Sequence, residues 1–225
     1  MPNLDTKKQV AEFYEDFQSR GKYDYFYGDE KRKNLYVQLI GKGNKILEVG
    51  CRSGNLTQFY HEGNQVEGID VDRNALLEFE KRLNLKSYWV DVDSEDIPFD
   101  DESFDLVVFS EVMEHLRFPQ KALAEISRVL IKNGRLIGSV PNAFRLRNRW
   151  KFLFGKPFEL DPSHLRSYSH HSLKKEINQV FGSVEIHPIS GHLFGGGSTG
   201  VPVYEGLPYL IRRLFALDLV FVAQK

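Results

Sequence analysis

Glu111, Glu114 and His115 in the stretch SEVMEHL stand at i, i+3 and i+4, so a helical turn there would show two carboxylates and an imidazole on one face. A second imidazole, His164, follows in DPSHLRSY. These side-chain types suit a histidine general base or mixed oxygen and nitrogen ligation of a divalent cation. A separate feature lies upstream. In KILEVGCRSGNL an apolar run breaks into a glycine turn, with Glu48 just inside it and Gly50 and Gly54 within it. A strand, a glycine turn and the start of a helix aim backbone N–H groups at a ligand, and a nucleotide is the expected guest.

A dinucleotide fingerprint counted from Gly50 demands glycines at 52 and 55, where the chain has Arg52 and Asn55. A nicotinamide-dependent oxidoreductase therefore stands as an alternative without its best signature. Asp70 ends the next strand-like run, 22 residues after Glu48, where a carboxylate can accept both ribose hydroxyls. Val71 follows and would lie against an adenine face. Asp93 and Ser94 follow a third run and offer a carboxylate and a backbone N–H to an adenine edge.

The elements that must position these residues alternate between short strand-like runs and stretches of helical period, the rhythm of a parallel α/β sheet. Strands are expected at KILEV (45–49), QVEGID (65–70), SYWVDV (87–92), FDLVVFS (104–110) and GRLIGSV (134–140), with two more near 183–188 and 217–223. Helices are expected near 54–61, 73–82 and 119–132, the last stopped by Asn133-Gly134, and around Leu207 to Leu214 after the glycine-rich GHLFGGGSTG. Residues 1–40, with the aromatic FYEDFQSRGKYDYFYG between two helices, form an expected cap. It either packs on the sheet edge or closes over a ligand. Residues 41–225 form the main domain, with an insertion at about 143–170.

Thirty Lys and Arg balance 31 Asp and Glu, so no global field draws the chain to nucleic acid or a membrane, and any basic function is local. One cysteine excludes an intramolecular disulfide framework and fits a reducing compartment. Cys51 itself reads as a small buried wedge behind the loop. No basic-then-apolar leader opens the sequence and no apolar run reaches about 18 residues, so a soluble cytoplasmic protein is expected.

ILEVGCRSG, GIDVD, DVDSEDIPFDDESFDLVVFSEVMEHL and RVLIKNGRLIGSVPN resemble, in order and spacing, the successive motifs of class I S-adenosylmethionine-dependent methyltransferases. The similarity covers about residues 44–142, and DPSHLRSYSHHSLKKEI looks like the family's C-terminal part. The resemblance implies a Rossmann-like, seven-stranded, mostly parallel sheet whose last strand is antiparallel. It places Glu48, Gly50 and Gly54 around the methionine part of S-adenosylmethionine, Asp70 on the ribose, and Asp93 with Ser94 at the adenine. Arg52 departs from the commoner G-x-G-x-G form. If φ is positive there, the arginine costs on the order of 1 kcal/mol, and a degenerate binder without turnover stays open as a third alternative.

Methyl transfer to a hydroxyl needs alignment and a base, for which His115 is the expected group, with Glu111 orienting the acceptor and His164 as the second candidate. The E-V-x-E-H tetrad is similar to that of the ubiquinone-type O-methyltransferases and the small-RNA 2′-O-methyltransferases. That resemblance makes Glu111, Glu114, His115 and His164 a possible set of divalent-cation ligands. The insertion FRLRNRWKFLFGKPF (144–158) carries five cations and no acid, interleaved with aromatics. It reads as a lid helix that buries its aromatics, or as a surface for an anionic or lipid-linked acceptor, or as a stacking platform for single-stranded nucleic acid. The lipid-linked or small-molecule acceptor ranks above nucleic acid. LPYLIRRLF within 207–215 supports peripheral membrane contact alongside 144–158.

Overall fold

The computed structural model describes residues 6–19, 30–157, 161, 163–189, 192–194, 201–202 and 206–225. Seven strands form one sheet: β1 (Lys45–Val49), β2 (Gln65–Asp70), β3 (Lys86–Trp89), β4 (Phe104–Ser110), β5 (Leu130–Pro141), β6 (Ser183–Ile189) and, last in the chain, β9 (Asp218–Gln224). Their order is β3-β2-β1-β4-β5-β9-β6, with β9 antiparallel to both neighbours and every other pairing parallel. Two short strands, β7 (His192–Phe194) and β8 (Val201–Pro202), pair separately, and most of the glycine-rich stretch lies outside the described residues.

The central strands read as continuous apolar runs because both their faces are buried. In β4, Val107 and Phe109 join one core layer with Leu123 and Ile126 of α4 (Pro119–Val129) and Leu173 and Ile177 of α6 (His170–Ile177). Leu106 and Val108 point the other way, into a layer with Tyr36 and Ile40 of α2 (Glu30–Ile40). Each fully buried side chain of this size contributes about 1.5–3 kcal/mol relative to exposure. Parallel pairing sets the ends of β1, β2, β3, β4 and β5 at one edge, where Asp70 stands opposite Trp89 and Ser110 opposite Ser139. The remaining helices are α1 (Lys7–Ser19), α3 (Arg73–Leu83), α5 (Leu146–Leu153) and α7 (Tyr209–Phe215).

Three elements differ from the sequence reading. The stretch expected to be helical at 54–61 holds a single 3-10 turn at Thr57–Phe59. The third strand stops at Trp89, because Asp91 turns the chain back by accepting from the Asp93 amide at 3.1 Å and the Ser94 hydroxyl at 2.7 Å. α4 ends at Val129, and Asn133, left-handed at φ 63, lies within β5 instead of stopping the helix. The aromatic stretch expected between two helices spans 13–28: its first part, 13–19, is the C-terminal half of α1, and 20–28 lie outside the described residues. No helix among the described residues is long and apolar enough to cross a membrane.

Candidate functional site

The glycine turn after β1 is held by its backbone. Gly50 (φ 78), Arg52 (φ 45) and Gly54 (φ 81) all take positive φ, so the arginine does occupy the costly conformation. A Cβ on Gly50 would run into the Val112 side chain. The amides of Gly50 and Cys51 donate to the Ile69 carbonyl at 2.8 and 3.2 Å. The left-handed Arg52 aims its own amide at Asp70 Oδ2, 2.9 Å away, while Asp70 Oδ1 accepts from Asp72 N–H at 2.8 Å. Asp70 thus fixes the glycine turn and the start of α3 together. Its burial raises its pKa, and the two amides oppose that rise. Val71 is half-buried beside it, its carbonyl accepting from Trp89 Nε1 at 2.8 Å.

Glu48 is buried beneath the turn and accepts from the hydroxyls of Thr57 and Tyr60, the latter at 2.5 Å. Desolvation outweighs those bonds and lifts its pKa to about 7. Cys51 packs with Leu76 and Phe79, and burial pushes its thiol pKa up, as an inert wedge requires. Asp93 is buried and accepts from Arg117 Nε at 2.8 Å and from Phe118 N–H at 2.7 Å. Ser94 corrects the sequence reading: its amide donates to Asp91 O at 3.1 Å, so that N–H closes the turn and does not present itself to an adenine edge.

Sequence reasoning missed Trp89. Lys7 of α1 and Arg73 of α3 lie over its ring at 3.7 and 3.6 Å from the centroid. Lys7 also donates to the Trp89 carbonyl at 2.8 Å and pairs with Glu95 at 2.5 Å. Farther along α1, the Tyr14 ring meets the His115 ring edge-on at 6.0 Å, and burial with Glu114 nearby raises the Tyr14 pKa. α1 therefore bridges the strand ends from Trp89 to His115. A tryptophan closing a strand at the ligand edge was the one available signal.

Beyond β4 the expected helical face does not form. Glu111 is left-handed at φ 56 and a 3-10 turn begins only at Met113. Glu111 consequently departs from the other three candidates and accepts from Ser139 Oγ at 2.6 Å, with Arg32 Nη1 of α2 at 3.3 Å. Arg32 also pairs with Asp218 at 3.2 Å, and all this lies under the site. Glu114, His115 and His164 do converge, each offering a ligand atom within 4.8 Å of the others. The Glu114 carbonyl accepts from Leu165 and Arg166 N–H at 2.8 and 3.0 Å, which draws residues 163–166 against the turn and sets the His115 and His164 rings 4.8 Å apart. Glu114 is buried with neither carboxylate oxygen hydrogen-bonded, and burial followed by the Glu111 charge pushes its pKa far above the usual carboxylate range.

A sheet of this order and strand direction, with a glycine turn after β1 and buried acids at the strand ends, is the Rossmann-like fold of class I methyltransferases. Residues 47–138 match the family described as a methyltransferase domain. An uncharacterised protein of Methanocaldococcus jannaschii is 32% identical over 173 residues, covering 68% of this chain and 74% of that one. A phthiotriol/phenolphthiotriol dimycocerosates methyltransferase of Mycobacterium ulcerans is 35% identical over 111 residues, 47% of this chain but only 40% of that enzyme's length. The crystal structure of an S-adenosylmethionine-dependent methyltransferase from Archaeoglobus fulgidus superposes with a TM-score of 0.67 over 95% of this chain and 100% of that one at 19% identity, a likeness of fold. Residues 47–138 are thus a methyltransferase domain, the fold is that of S-adenosylmethionine-dependent methyltransferases, and the oxidoreductase alternative is not favoured.

Proposed function

We propose that this methyltransferase acts on an oxygen of a small or lipid-linked acceptor, with His115 taking the acceptor's proton. One observation carries the reading. His115 Nδ1 lies 3.1 Å from the Ser163 carbonyl oxygen, which can only accept, so Nδ1 carries the hydrogen and Nε2 is the basic nitrogen. S-adenosylmethionine supplies a methyl group already activated on a sulfonium. The residues at the strand ends fit it electrostatically: Glu48 and Asp70 are buried acids with raised pKa, and a guest carrying a sulfonium and an ammonium offsets the cost of ionising them. Glu48 with Gly50 and Gly54 would hold the methionine part, Asp70 the ribose, Val71 an adenine face and Asp93 the adenine edge. Residues 1–40 would cap the site through Lys7 and Tyr14. The E-V-x-E-H tetrad favours the ubiquinone-type O-methyltransferase branch, and a relative named for phthiotriol dimycocerosates favours a lipid-linked acceptor.

A second reading rests on Glu114. A buried carboxylate without a hydrogen-bond partner, beside two imidazoles, has the donor chemistry of a divalent-cation site, now without Glu111. A cation there would lower the pKa of an acceptor hydroxyl. The assay offers labelled S-adenosylmethionine with hydroxylated aromatic and isoprenoid acceptors. His115→Ala should cut turnover by about 10²–10⁴ while leaving S-adenosylmethionine affinity intact. Activity that survives exhaustive chelation supports the histidine base alone. Loss by chelation, restored by Mn²⁺ or Zn²⁺, supports the cation. Full activity in His115→Ala, or methylation confined to nitrogen, contradicts the proposal.

A further inference from the structure

The helix α5 is built inside out. Its buried residue is a polar one, Asn148, whose side-chain amide donates to the Ala143 carbonyl at 3.0 Å, while its large apolar groups face outward. Trp150 is 53% exposed, Phe152 72%, Leu153 70% and Phe154, which caps the helix, 69%. The sequence reading of a lid helix that buries its aromatics is therefore corrected. Exposing four such side chains in succession forgoes their burial, and a contiguous patch of this kind marks an interaction surface. Trp150 and Phe154 stack at 6.0 Å with planes 15° apart, so the patch has a defined face.

What covers that face must also meet its charge. Arg145, Arg147, Arg149, Lys151 and Lys156 accompany the aromatics with no Asp or Glu between residues 144 and 157. α7 lies against α5 and extends the same pattern: Leu210 is 62% exposed, Arg212 and Arg213 follow, and residues 206–217 hold no acid. The chain as a whole is close to neutral and the remainder is acidic, so the seven cations are a local positive excess around a projecting apolar tip. A solvated protein partner could match either half of this pattern. A bilayer with anionic headgroups matches both at once, the acyl boundary taking Phe152, Leu153 and Phe154, and the headgroups taking the arginines and lysines. Tryptophan at the border of the two layers is in its preferred place. The surface also has a fixed relation to the site. α5 follows the ligand-edge end of β5 and α7 leads into the antiparallel β9, and Asn142 ties the two by donating to the Arg213 and Ala216 carbonyls at 3.1 Å.

We infer that α5 and α7 form a docking surface for an anionic lipid bilayer and set the acceptor side of the catalytic edge at the membrane. This rests on the proposed lipid-linked acceptor for its purpose, but not for its test. The purified full chain, without S-adenosylmethionine or acceptor, is sedimented with phosphatidylcholine vesicles and with vesicles that also contain phosphatidylglycerol. It should partition onto the anionic vesicles and only poorly onto the neutral ones, with Trp150 emission shifting to the blue. Changing Phe152, Leu153 and Phe154 together to Ser should lower partition at least about tenfold. Arg147→Gln with Lys156→Gln should lower it too, and make the remainder less sensitive to salt. These positions are exposed, so the melting temperature should stay unchanged, and the charge pair serves if the triple variant does not fold. No binding to anionic vesicles, equal binding by the folded variants, or binding of single-stranded oligonucleotides through this surface in place of vesicles would overturn the inference. Methyl transfer to a soluble acceptor without vesicle binding sinks only this surface. Vesicle binding without S-adenosylmethionine binding sinks only the proposed function.

Discussion

Glu48 sits where its charge is costly, and that cost gives the site a pH signature. In the unfolded chain a glutamate releases its proton near pH 4.3, whereas burial moves Glu48 in the folded protein to about 7. Between those values the unfolded state binds fewer protons, so this group's contribution to stability falls as pH rises and is fully lost above about 7. Glu48→Gln copies the protonated acid and can still accept from Thr57 and Tyr60. The variant should exceed the wild type in unfolding free energy by on the order of 3 kcal/mol near pH 8, with the gap closing toward pH 4 in urea melts. On the proposed placement of the methionine part beside Glu48, the variant's affinity for S-adenosylmethionine should nevertheless drop, because the carboxylate charge is gone. A variant less stable at every pH would mean that Glu48 is a structural acid and its ionisation is not strained. At this scale the sequence showed residue types but not their partners. Gly50, Gly54 and Asp70 were readable because a turn and a strand end announce themselves, whereas the left-handed Glu111 could not be foreseen from a spacing that suits a helix equally well.

Among the elements, α2 carries a role that its own pattern conceals. Arg32 is buried between Glu111 just after β4 and Asp218 at the start of β9, which ties α2 to the ends of both strands. Burial and the Glu111 charge raise Asp218 to about 7 even with the guanidinium present. Arg32→Met should therefore cost about 3–5 kcal/mol at neutral pH, because buried Asp218 and half-buried Glu111 lose their counter-charge. The loss should shrink in acid: without the guanidinium Asp218 has a folded pKa raised still further, so the stability that its protonation confers is present at low pH and lost as pH rises through it. Denaturant melts of Arg32→Met across this range, with Glu111→Gln/Asp218→Asn added as a partial rescue, measure it. A pH-independent loss would contradict the network. Strand positions were largely visible in KILEV, QVEGID, FDLVVFS and GRLIGSV, since strands buried on both faces are rich in consecutive apolar residues. SYWVDV overran the strand's end by three residues, because its alternation continues to Asp91, whose side chain bends the chain out of the sheet. The Arg32 network and the Lys7 clamp join residues 186 and 82 positions apart, and no local pattern encodes such pairings.

For the molecule as a whole, one edge of one sheet gathers every candidate group. Its half at β1 and β2 is acidic and fixed by backbone bonds to Asp70, its half at β4 is the turn with His115, His164 and buried Glu114, and α1 lies across both. The proposal that joins these parts is that the half at β1 and β2 holds S-adenosylmethionine. Calorimetric titration tests it most directly, with wild type, Asp70→Asn and an NADH control. Wild type should bind S-adenosylmethionine at one site per chain and give no heat with NADH. Asp70→Asn keeps an acceptor oxygen for only one of the Arg52 and Asp72 amides and loses the charge on the ribose bonds, worth roughly 1.5–3 kcal/mol for each bond made, so binding should weaken at least about tenfold, read alongside a melting curve that shows the variant folded. Undiminished affinity in folded Asp70→Asn, or binding of NADH in place of S-adenosylmethionine, would contradict the account.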